Sequence, residues 1–347
     1  MATGVSFSQL IESVPCILGE GAVIERLRRN ENLELDPYLV NAAFIYEDEK
    51  RAALESICRQ YLDIGREFDL PLLLSTPTWR ANWERIDSAG YAKVDVNGDN
   101  VRFLNDLVSS YGDYSGQVTI CGLMSCRGDA YRPDEALTAE EAFHFHAWQA
   151  KKLAAAGLDL LLAATLPALS EATGLALALA ATGKPYLISF VVRPQGTLLD
   201  GTPLKEAIAV IDAAATPAPL AYLINCTHAS FARSALSHET NSSDLVRQRF
   251  IGLLANTAAL SPEDLNDSSA TLVQEDPGNF GRSVAQLHRD LGLKILGGCC
   301  GTDQRHISSL AAELKKVSAA SALNASSSGS VRTPSTLVST RWPPIIV

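Results

Sequence analysis

The chain has 347 residues, of which 47% are hydrophobic and 20% are charged, and its formal net charge at pH 7 is -10. This length is enough for one large α/β domain or two average domains with buried cores. The acidic excess argues against nucleic acids and anionic membranes as partners. The longest apolar runs are too short to span a bilayer.

The N-terminal residues and the cysteine count together favour a cytoplasmic protein. The first residues, MATGVSFSQLIESVPC, lack the basic start and the apolar core of a signal peptide. Seven cysteines, an odd number without the spacing of a disulfide framework, fit a reducing compartment. In such a compartment, clustered cysteines are typically metal ligands or catalytic groups.

Eight short runs rich in Val, Ile and Leu predict parallel strands, because strands covered on both faces are apolar nearly throughout. In chain order they are CILGEG (16–21), LPLLLST (70–76), VTICGLMS (118–125), LDLLLAAT (158–165), PYLISFVV (185–192), PLAYLINC (219–226), RFIGLLAN (249–256) and LKILGGCC (293–300). The segments between most of them predict helices. In one, Thr138 is a possible cap with Glu141 three residues later, and the segment closes on Gly157.

This alternation of strands and helices predicts a (β/α)₈ barrel. The alternative, a doubly wound open sheet, needs a G-x-G-x-x-G turn after an early strand, and the segment GEGAVIERL lacks that spacing. We therefore predict an α/β protein with a single-domain (β/α)₈ TIM barrel over residues 1–315. Residues 316–347 are rich in Ser, Ala and Thr. They are predicted to form a flexible low-complexity tail, because they cannot bury enough apolar surface to offset the entropy of ordering.

Three cysteines are expected to meet at one end of this barrel. Functional groups of (β/α)₈ barrels lie at the C-terminal ends of the strands. Cys226 ends the sixth run, and Cys299 and Cys300 end the eighth. Three converging thiolates favour zinc among the common divalent ions and leave a fourth coordination position open, as in catalytic zinc sites. The alternative is that these cysteines are small buried apolar side chains.

The same cysteines carry a resemblance to a known family. The segment YLINC, followed about seventy residues later by GGCCGTDQRHI, resembles the homocysteine S-methyltransferase family, and the resemblance runs over residues 16–314. The segments STPTWRAN (75–82) and LLDGTPLKEAI (198–208) are similar to further segments of that family. The resemblance implies a zinc-dependent barrel in which Cys226, Cys299 and Cys300 bind Zn²⁺ and carry the catalysis.

The resemblance also implies the reaction. A free thiol is mostly protonated at neutral pH and is a poor nucleophile, whereas a thiol that coordinates a metal is deprotonated. The expected acceptor is homocysteine, which would give methionine, or a related thiol. The expected donor is a sulfonium, such as S-methylmethionine or S-adenosylmethionine, or a quaternary ammonium compound. Both partners are small molecules.

Four residues are candidates for substrate binding. Thr78 and Trp79 lie in the segment that resembles the family's Thr-x-Thr-aromatic motif, and Trp79 could contact a cationic methyl group through its ring. Asn225, beside a cysteine ligand, could orient it. Glu20 stands where the family has an Asp, and Ala164 stands where it has a second carboxylate, a Glu. Since these two carboxylates bind the amino group of the amino acid, homocysteine is expected to bind less well here.

The histidines are weaker candidates for metal binding. His228 lies two residues after Cys226 and could replace a ligand, but it is expected on a surface loop. His144 and His146 are two residues apart in a predicted helix, so their side chains face different directions.

Two other functions remain open at this point. A barrel with a zinc site could catalyse hydrolysis or a carbon–carbon lyase reaction instead, although three thiolates make a weak Lewis acid. It could also have a non-catalytic binding role. Zinc content and methyl transfer to a panel of thiols would distinguish the three hypotheses.

Overall fold

The computed structural model describes residues 6–261 and 274–327, with side chains described as far as residue 317. The strands in these ranges are β1 (Ile17–Gly19), β2 (Leu72–Ser75), β3 (Val118–Met124), β4 (Leu160–Leu166), β5 (Tyr186–Phe190), β6 (Val192–Arg193), β7 (Thr197–Leu198), β8 (Ala221–His228), β9 (Phe250–Asn256) and β10 (Ile295–Gly298). The helices are α1 (Phe7–Ser13), α2 (Ile24–Arg28), α3 (Asp48–Phe68), α4 (Trp83–Ser88), α5 (Val96–Ser109), α6 (Ala139–Ala155), α7 (Leu169–Ala180), α8 (Leu204–Ala214), α9 (Ala229–Ser237), α10 (Asp244–Arg249), α11 (Pro277–Leu291) and α12 (Gln304–Ser327).

Eight of these strands are parallel and close into a barrel in the order β1-β10-β9-β8-β5-β4-β3-β2. Strands β6 and β7 form a separate antiparallel pair just after β5. Each of the eight predicted apolar runs coincides with one barrel strand, and helices lie between the strands. The predicted (β/α)₈ TIM barrel is therefore confirmed, and the open doubly wound sheet is excluded because the sheet closes on itself.

The barrel is filled by side chains that point inward from the strands, among them Ile17, Leu73, Leu160 and Leu223. Phe7 of α1 packs into the same cluster. Helix α1 thus closes the N-terminal end of the barrel, so access to the interior comes from the C-terminal end, called the mouth below. A second and larger apolar cluster lies between the strands and the surrounding helices.

Helix α6 begins with the predicted cap. The Thr138 hydroxyl accepts a hydrogen bond from the Glu141 backbone N–H at 3.3 Å, and the Glu141 carboxylate accepts one from the Thr138 N–H at 3.0 Å. The helix ends just before Gly157, whose φ of 91° is the left-handed conformation that glycine favours. None of the described helices is long and apolar enough to cross a membrane.

The last helix crosses the predicted boundary between barrel and tail. Leu310, Ala311 and Leu314 of α12 are buried against the barrel, and the helix continues to Ser327 instead of ending near Lys316. Residues 328–347 lie outside the described ranges. The flexible tail over residues 316–347 therefore stays a prediction.

Candidate active site

Cys226, Cys299 and Cys300 meet at the mouth of the barrel. Their three Sγ atoms all lie within 4.8 Å of one another. Cys226 is buried, and the other two are partly exposed. The tertiary structure thus brings together the three thiols that the sequence analysis singled out, from strands that are not neighbours in the chain.

A bulge in β8 places Cys226 in this cluster. The pairing of β8 with β9 shifts between Asn225 and Thr227, and Cys226 lies at the shift with a φ of 49°. A non-glycine residue in this left-handed region costs on the order of 1–3 kcal/mol, a strain that proteins tend to concentrate at functional sites. The strand continues to His228, two residues beyond the predicted end, because the bulge interrupts the pairing without ending it.

Asn225 connects three strand ends beneath the cluster. Its side-chain oxygen accepts hydrogen bonds from the Thr165 N–H at 2.9 Å and from the Ser189 hydroxyl at 2.7 Å, and its amide group donates to the Thr165 hydroxyl at 2.8 Å. Thr165 also has a positive φ, of 62°. Asn225 therefore fixes the ends of β4, β5 and β8 relative to one another, which orients the neighbouring Cys226.

The turn that carries Cys299 and Cys300 is held by hydrogen bonds from both sides. The Cys299 N–H donates to the Ala255 carbonyl at 2.6 Å. The Thr302 hydroxyl donates to the Cys299 carbonyl at 2.6 Å and accepts from the Ala22 N–H at 3.0 Å. These contacts tie the turn to the ends of β9 and β1, so its two thiols are held in place before any ligand binds.

The packing of the protein itself requires glycine at positions 297 and 298. A Cβ added at Gly297 would lie 2.7 Å from the Cα of Gly19 on the neighbouring β1. A Cβ added at Gly298 would lie 2.3 Å from the Thr302 hydroxyl. The two glycines let β10 pass close to β1 and let the cysteine turn fold back on the strand end.

The three thiols differ in pKa. Hydrogen bonds from the Cys226 and Cys300 thiols hold the pKa of Cys299 well below its usual value. The hydrogen bonds of the Cys226 thiol with Cys299 and Cys300 raise the pKa of Cys226, because a donating thiol is stabilised in its protonated form. The cluster therefore stabilises a thiolate at Cys299, which is the protonation state that a metal ligand requires.

A cavity of about 480 Å³ opens above the cysteines. Its wall includes the three cysteines, the predicted substrate-binding residues Glu20, Trp79 and Asn225, and also Ala164, Thr76, Arg80, Arg85 and Tyr131. Thr78 is not among the lining residues: it is fully buried, and its hydroxyl donates to the Leu123 carbonyl at 2.8 Å. It lies behind the wall and connects β2 with β3.

Glu20 lines this cavity and has one carboxylate oxygen without a protein partner. Its Oε1 accepts a hydrogen bond from the Ser75 N–H at 3.0 Å, whereas its buried Oε2 has no hydrogen-bond partner among the described residues. Burial raises the pKa of Glu20 to about 7, although the hydrogen bonds from Ser75 oppose the shift. A buried carboxylate without a partner is unfavourable, so this oxygen is suited to bind a cationic or hydrogen-bond-donating group of a ligand.

The histidines have structural partners. The Nδ1 atom of His228 accepts from the Ser230 N–H at 3.2 Å and so caps α9, and its Nε2 lies 3.5 Å from a carboxylate oxygen of Glu275. His146 is buried against Glu171, whereas His144 is exposed. His228 is partly buried instead of lying on a surface loop, because it caps a helix. The different directions of His144 and His146 are confirmed.

Sequence reasoning missed two residues that hold the loop between β3 and α6, residues 126–137, which forms part of the cavity wall. Buried Arg80 donates to the Cys126 and Gly128 carbonyls, each at 2.8 Å. Fully buried Glu171 accepts from the Arg127 N–H at 2.6 Å and from the Leu137 N–H at 3.4 Å. The sequence signal for Glu171 was its position as a lone acid in the apolar segment of α7.

We expect Glu171→Ala to loosen this loop. The substitution leaves the Arg127 and Leu137 N–H groups without their buried acceptor, and each unsatisfied group costs about 1–3 kcal/mol. Trypsin should then cut faster after Arg127, and the melting temperature should fall. Glu140→Ala, at an exposed acid on α6, is the control. Unchanged cleavage in Glu171→Ala would show that the loop is held without Glu171.

The amino-acid sequence was also compared with known proteins. A homocysteine S-methyltransferase of Escherichia coli strain K12 is 31% identical over 205 residues, which cover 57% of this chain and 61% of that protein. Homocysteine S-methyltransferase YbgG of Bacillus subtilis strain 168 is 28% identical over 189 residues, which cover 53% of this chain and 56% of that protein. The chain thus spans less than two thirds of either bacterial relative. Betaine–homocysteine S-methyltransferase 1 of Rattus norvegicus is 22% identical and aligns with 86% of this chain.

Solved structures and the family comparison agree with these relatives. The oxidized form of the homocysteine methyltransferase MmuM from Escherichia coli superposes with a TM-score of 0.69 at 23% identity, covering 87% of this chain and 97% of that one. Its metallated form gives a TM-score of 0.67. At this identity the two structures establish the fold. The homocysteine S-methyltransferase family matches residues 17–314, and because this match covers well over half of the sequence, the chain belongs to the homocysteine S-methyltransferase family.

Proposed function

We propose that this protein is a zinc-dependent methyltransferase. It moves a methyl group from a sulfonium donor of the S-methylmethionine or S-adenosylmethionine type, or from a quaternary ammonium donor, to a zinc-activated thiol. The thiol is homocysteine, which yields methionine, or a related compound. The observation that carries the proposal is the convergence of Cys226, Cys299 and Cys300 at the mouth of the barrel, with their Sγ atoms within 4.8 Å of one another.

The three thiols fit a zinc ion. Three sulfur ligands of one zinc ion lie about 3.8 Å apart, which is within the 4.8 Å limit that the three Sγ atoms meet. Thiolates are the ligands that select zinc over magnesium or calcium. When bound, the metal supplies the positive charge that removes the proton from a coordinating thiol at neutral pH. Three protein ligands leave one position for that thiol.

The chain's own residues position the reactants. Glu20 is placed to accept a hydrogen bond from the ammonium group of an amino-acid thiol, through the oxygen that has no protein partner. One face of the Trp79 ring is covered by the Arg80 guanidinium, which lies 4.1 Å from the ring centroid. Trp79 also lines the cavity, where its ring is proposed to contact a methylated cation. A carbon–sulfur bond then forms to the acceptor, and the methyl carbon's bond to the donor breaks, releasing a neutral sulfide or amine.

The acceptor site is weaker than the resemblance would imply for an ordinary relative. Ala164 lines the cavity at the end of β4, where the family has a second carboxylate. Of the two positions at which the family has a carboxylate, only that of Glu20 keeps one, so an α-ammonium group has one charged partner fewer there. We infer that thiols without an α-ammonium group compete with homocysteine better here than in relatives that have both carboxylates.

We also propose that the protein acts in the cytoplasm. All seven cysteines are free thiols, which favours a reducing compartment such as the cytoplasm. The net charge of -10 and the small cavity favour small-molecule substrates over nucleic acids or membranes.

Metal analysis combined with a transfer assay tests the proposed function. The purified chain should contain about one zinc ion, as expected for a single three-cysteine site. It should convert homocysteine to methionine with S-methylmethionine, S-adenosylmethionine or betaine as donor. Turnover of substrates without any methyl donor would favour hydrolysis or lyase chemistry instead. Binding of thiols without turnover would favour a non-catalytic role.

The protonation of Glu20 predicts how homocysteine use depends on pH. Because burial raises the pKa of Glu20 to about 7, the carboxyl group is neutral below that pH and becomes an ammonium-binding carboxylate above it. The apparent Michaelis constant for homocysteine should therefore fall as the pH rises through about 7. A desamino analogue, 4-mercaptobutanoate, controls for ionisation of the thiol and should lack this decrease. In Glu20→Gln the two thiols should show the same pH profile; a persisting difference would assign the ammonium to another group.

A further inference from the structure

Two arginines line the cavity wall after β2. Arg80 and Arg85 both contribute to this wall. Arg80 is buried and directs its Nη1 to backbone carbonyls of the loop at residues 126–137. Across the described ranges, 6–261 and 274–327, neither guanidinium forms an ion pair with a carboxylate. This wall therefore holds two guanidinium groups without an ion-pair partner, although Asp129 and Glu135 also line the cavity.

Arg85 keeps most of its hydrogen-bonding capacity free. Its Nη1 donates to the Tyr38 carbonyl at 3.0 Å, while its Nε and Nη2 donate to no atom in the described part of the chain. The adjacent acid, Glu84, pairs instead with Arg127 at 3.1 Å. Burial and the nearby charge of Arg80 lower the pKa of Arg85, which is the effect of a cation without a partner.

We propose that Arg85 is the binding site for a carboxylate of one of the two substrates. The Nε and Nη2 hydrogens of a guanidinium form a planar fork that matches the two oxygens of a carboxylate. In Arg85, the Nε and Nη2 donors of this fork form no hydrogen bond with the described part of the chain. The side chain is half-buried in the cavity wall. Arg80 adds positive charge beside it while holding the loop with its own donors.

The cavity is thereby lined by both an acidic and a basic candidate binding group. Glu20, after β1, offers an unpartnered carboxylate oxygen, and Arg85, after β2, offers an unpartnered guanidinium edge. A ligand with both an ammonium or sulfonium group and a carboxylate complements the two. The inference rests on the proposed function, because it takes the cavity to be where acceptor and donor bind. The acceptor and the methyl donor can each supply such a carboxylate.

Titration calorimetry with matched ligand pairs tests this assignment. For the acceptor, homocysteine is compared with 3-aminopropanethiol, which lacks only the carboxylate. For the donor, S-methylmethionine is compared with (3-aminopropyl)dimethylsulfonium. In Arg85→Gln, the dissociation constant of one carboxylate-bearing ligand should rise on the order of 10- to 100-fold, while that of its decarboxylated partner stays nearly unchanged. The pair that responds identifies which substrate Arg85 binds.

Two further variants keep the test decisive. Arg85→Lys retains the positive charge but not the guanidinium fork, so it should lose part of the preference for the carboxylate-bearing ligand over its decarboxylated partner. This variant replaces Arg85→Gln if Arg85→Gln does not fold. Arg132→Gln, at an exposed arginine paired with Asp134 on the same rim, should leave both pairs unaffected. The assignment would be overturned if the dissociation constants of both ligands of each pair changed equally, or if no dissociation constant changed in any Arg85 variant. Absence of methyl transfer by the unaltered protein would instead refute the proposed function, since the calorimetry measures binding without turnover.

Discussion

Replacing Cys299 and Cys300 together with serine is expected to abolish zinc binding and methyl transfer while leaving the barrel folded. The two residues supply two of the three proposed ligands, and loss of an outer-shell partner alone typically costs about 10- to 100-fold in metal affinity. The loss of zinc affinity in the double serine variant should therefore be at least that large. The barrel core is built from the strands and helices below the mouth, so the melting temperature should change little.

Metal analysis, the transfer assay and thermal melting check this prediction together. Cys126→Ser is the matched control, because Cys126 is a buried cysteine near the mouth whose thiol donates to the Gly128 and Thr165 carbonyls, and a serine hydroxyl keeps a donor there. The control should retain its zinc. Full zinc content in the double serine variant would refute the assignment of the ligands.

Introducing Glu at Ala164 is expected to lower the apparent Michaelis constant for homocysteine. A well-placed, partly buried ion pair is worth on the order of 2–3 kcal/mol, which corresponds to roughly 30- to 150-fold in affinity. Ala164 is buried at the end of β4 and belongs to the cavity wall, so the added carboxylate would lie beside the proposed acceptor site. The Michaelis constant for the desamino analogue should not fall, because that thiol has no ammonium group to pair with the added carboxylate.

Steady-state kinetics with both thiols, in the original protein and in Ala164→Glu, provide the measurement. Ala164→Gln is the control, since it adds nearly the same volume without the charge. If the original protein already prefers homocysteine strongly and Ala164→Glu only impairs it, Glu20 or another group holds the ammonium, and the proposed weakening of the acceptor site is wrong.

The sequence by itself determined the barrel and the convergence of its three candidate metal ligands. Apolar runs that alternate with capped helices predict parallel strands with crossover helices, and eight of them predict a closed (β/α)₈ barrel. Once that topology is accepted, residues at the ends of the sixth and eighth runs must share one mouth. Cys226, Cys299 and Cys300 could therefore be placed together before their coordinates were known.

Only the tertiary structure decided which other side chains face the cavity. Thr78 and Trp79 are neighbours in sequence, yet only Trp79 lines the cavity, because the chain turns Thr78 inward to the Leu123 carbonyl. Arg85 and Glu171 carry no local pattern that predicts their roles. Their roles depend on hydrogen-bond and ion-pair partners that are present or missing far away in the sequence. Such partners depend on how whole helices and strands pack, which local periodicity does not encode.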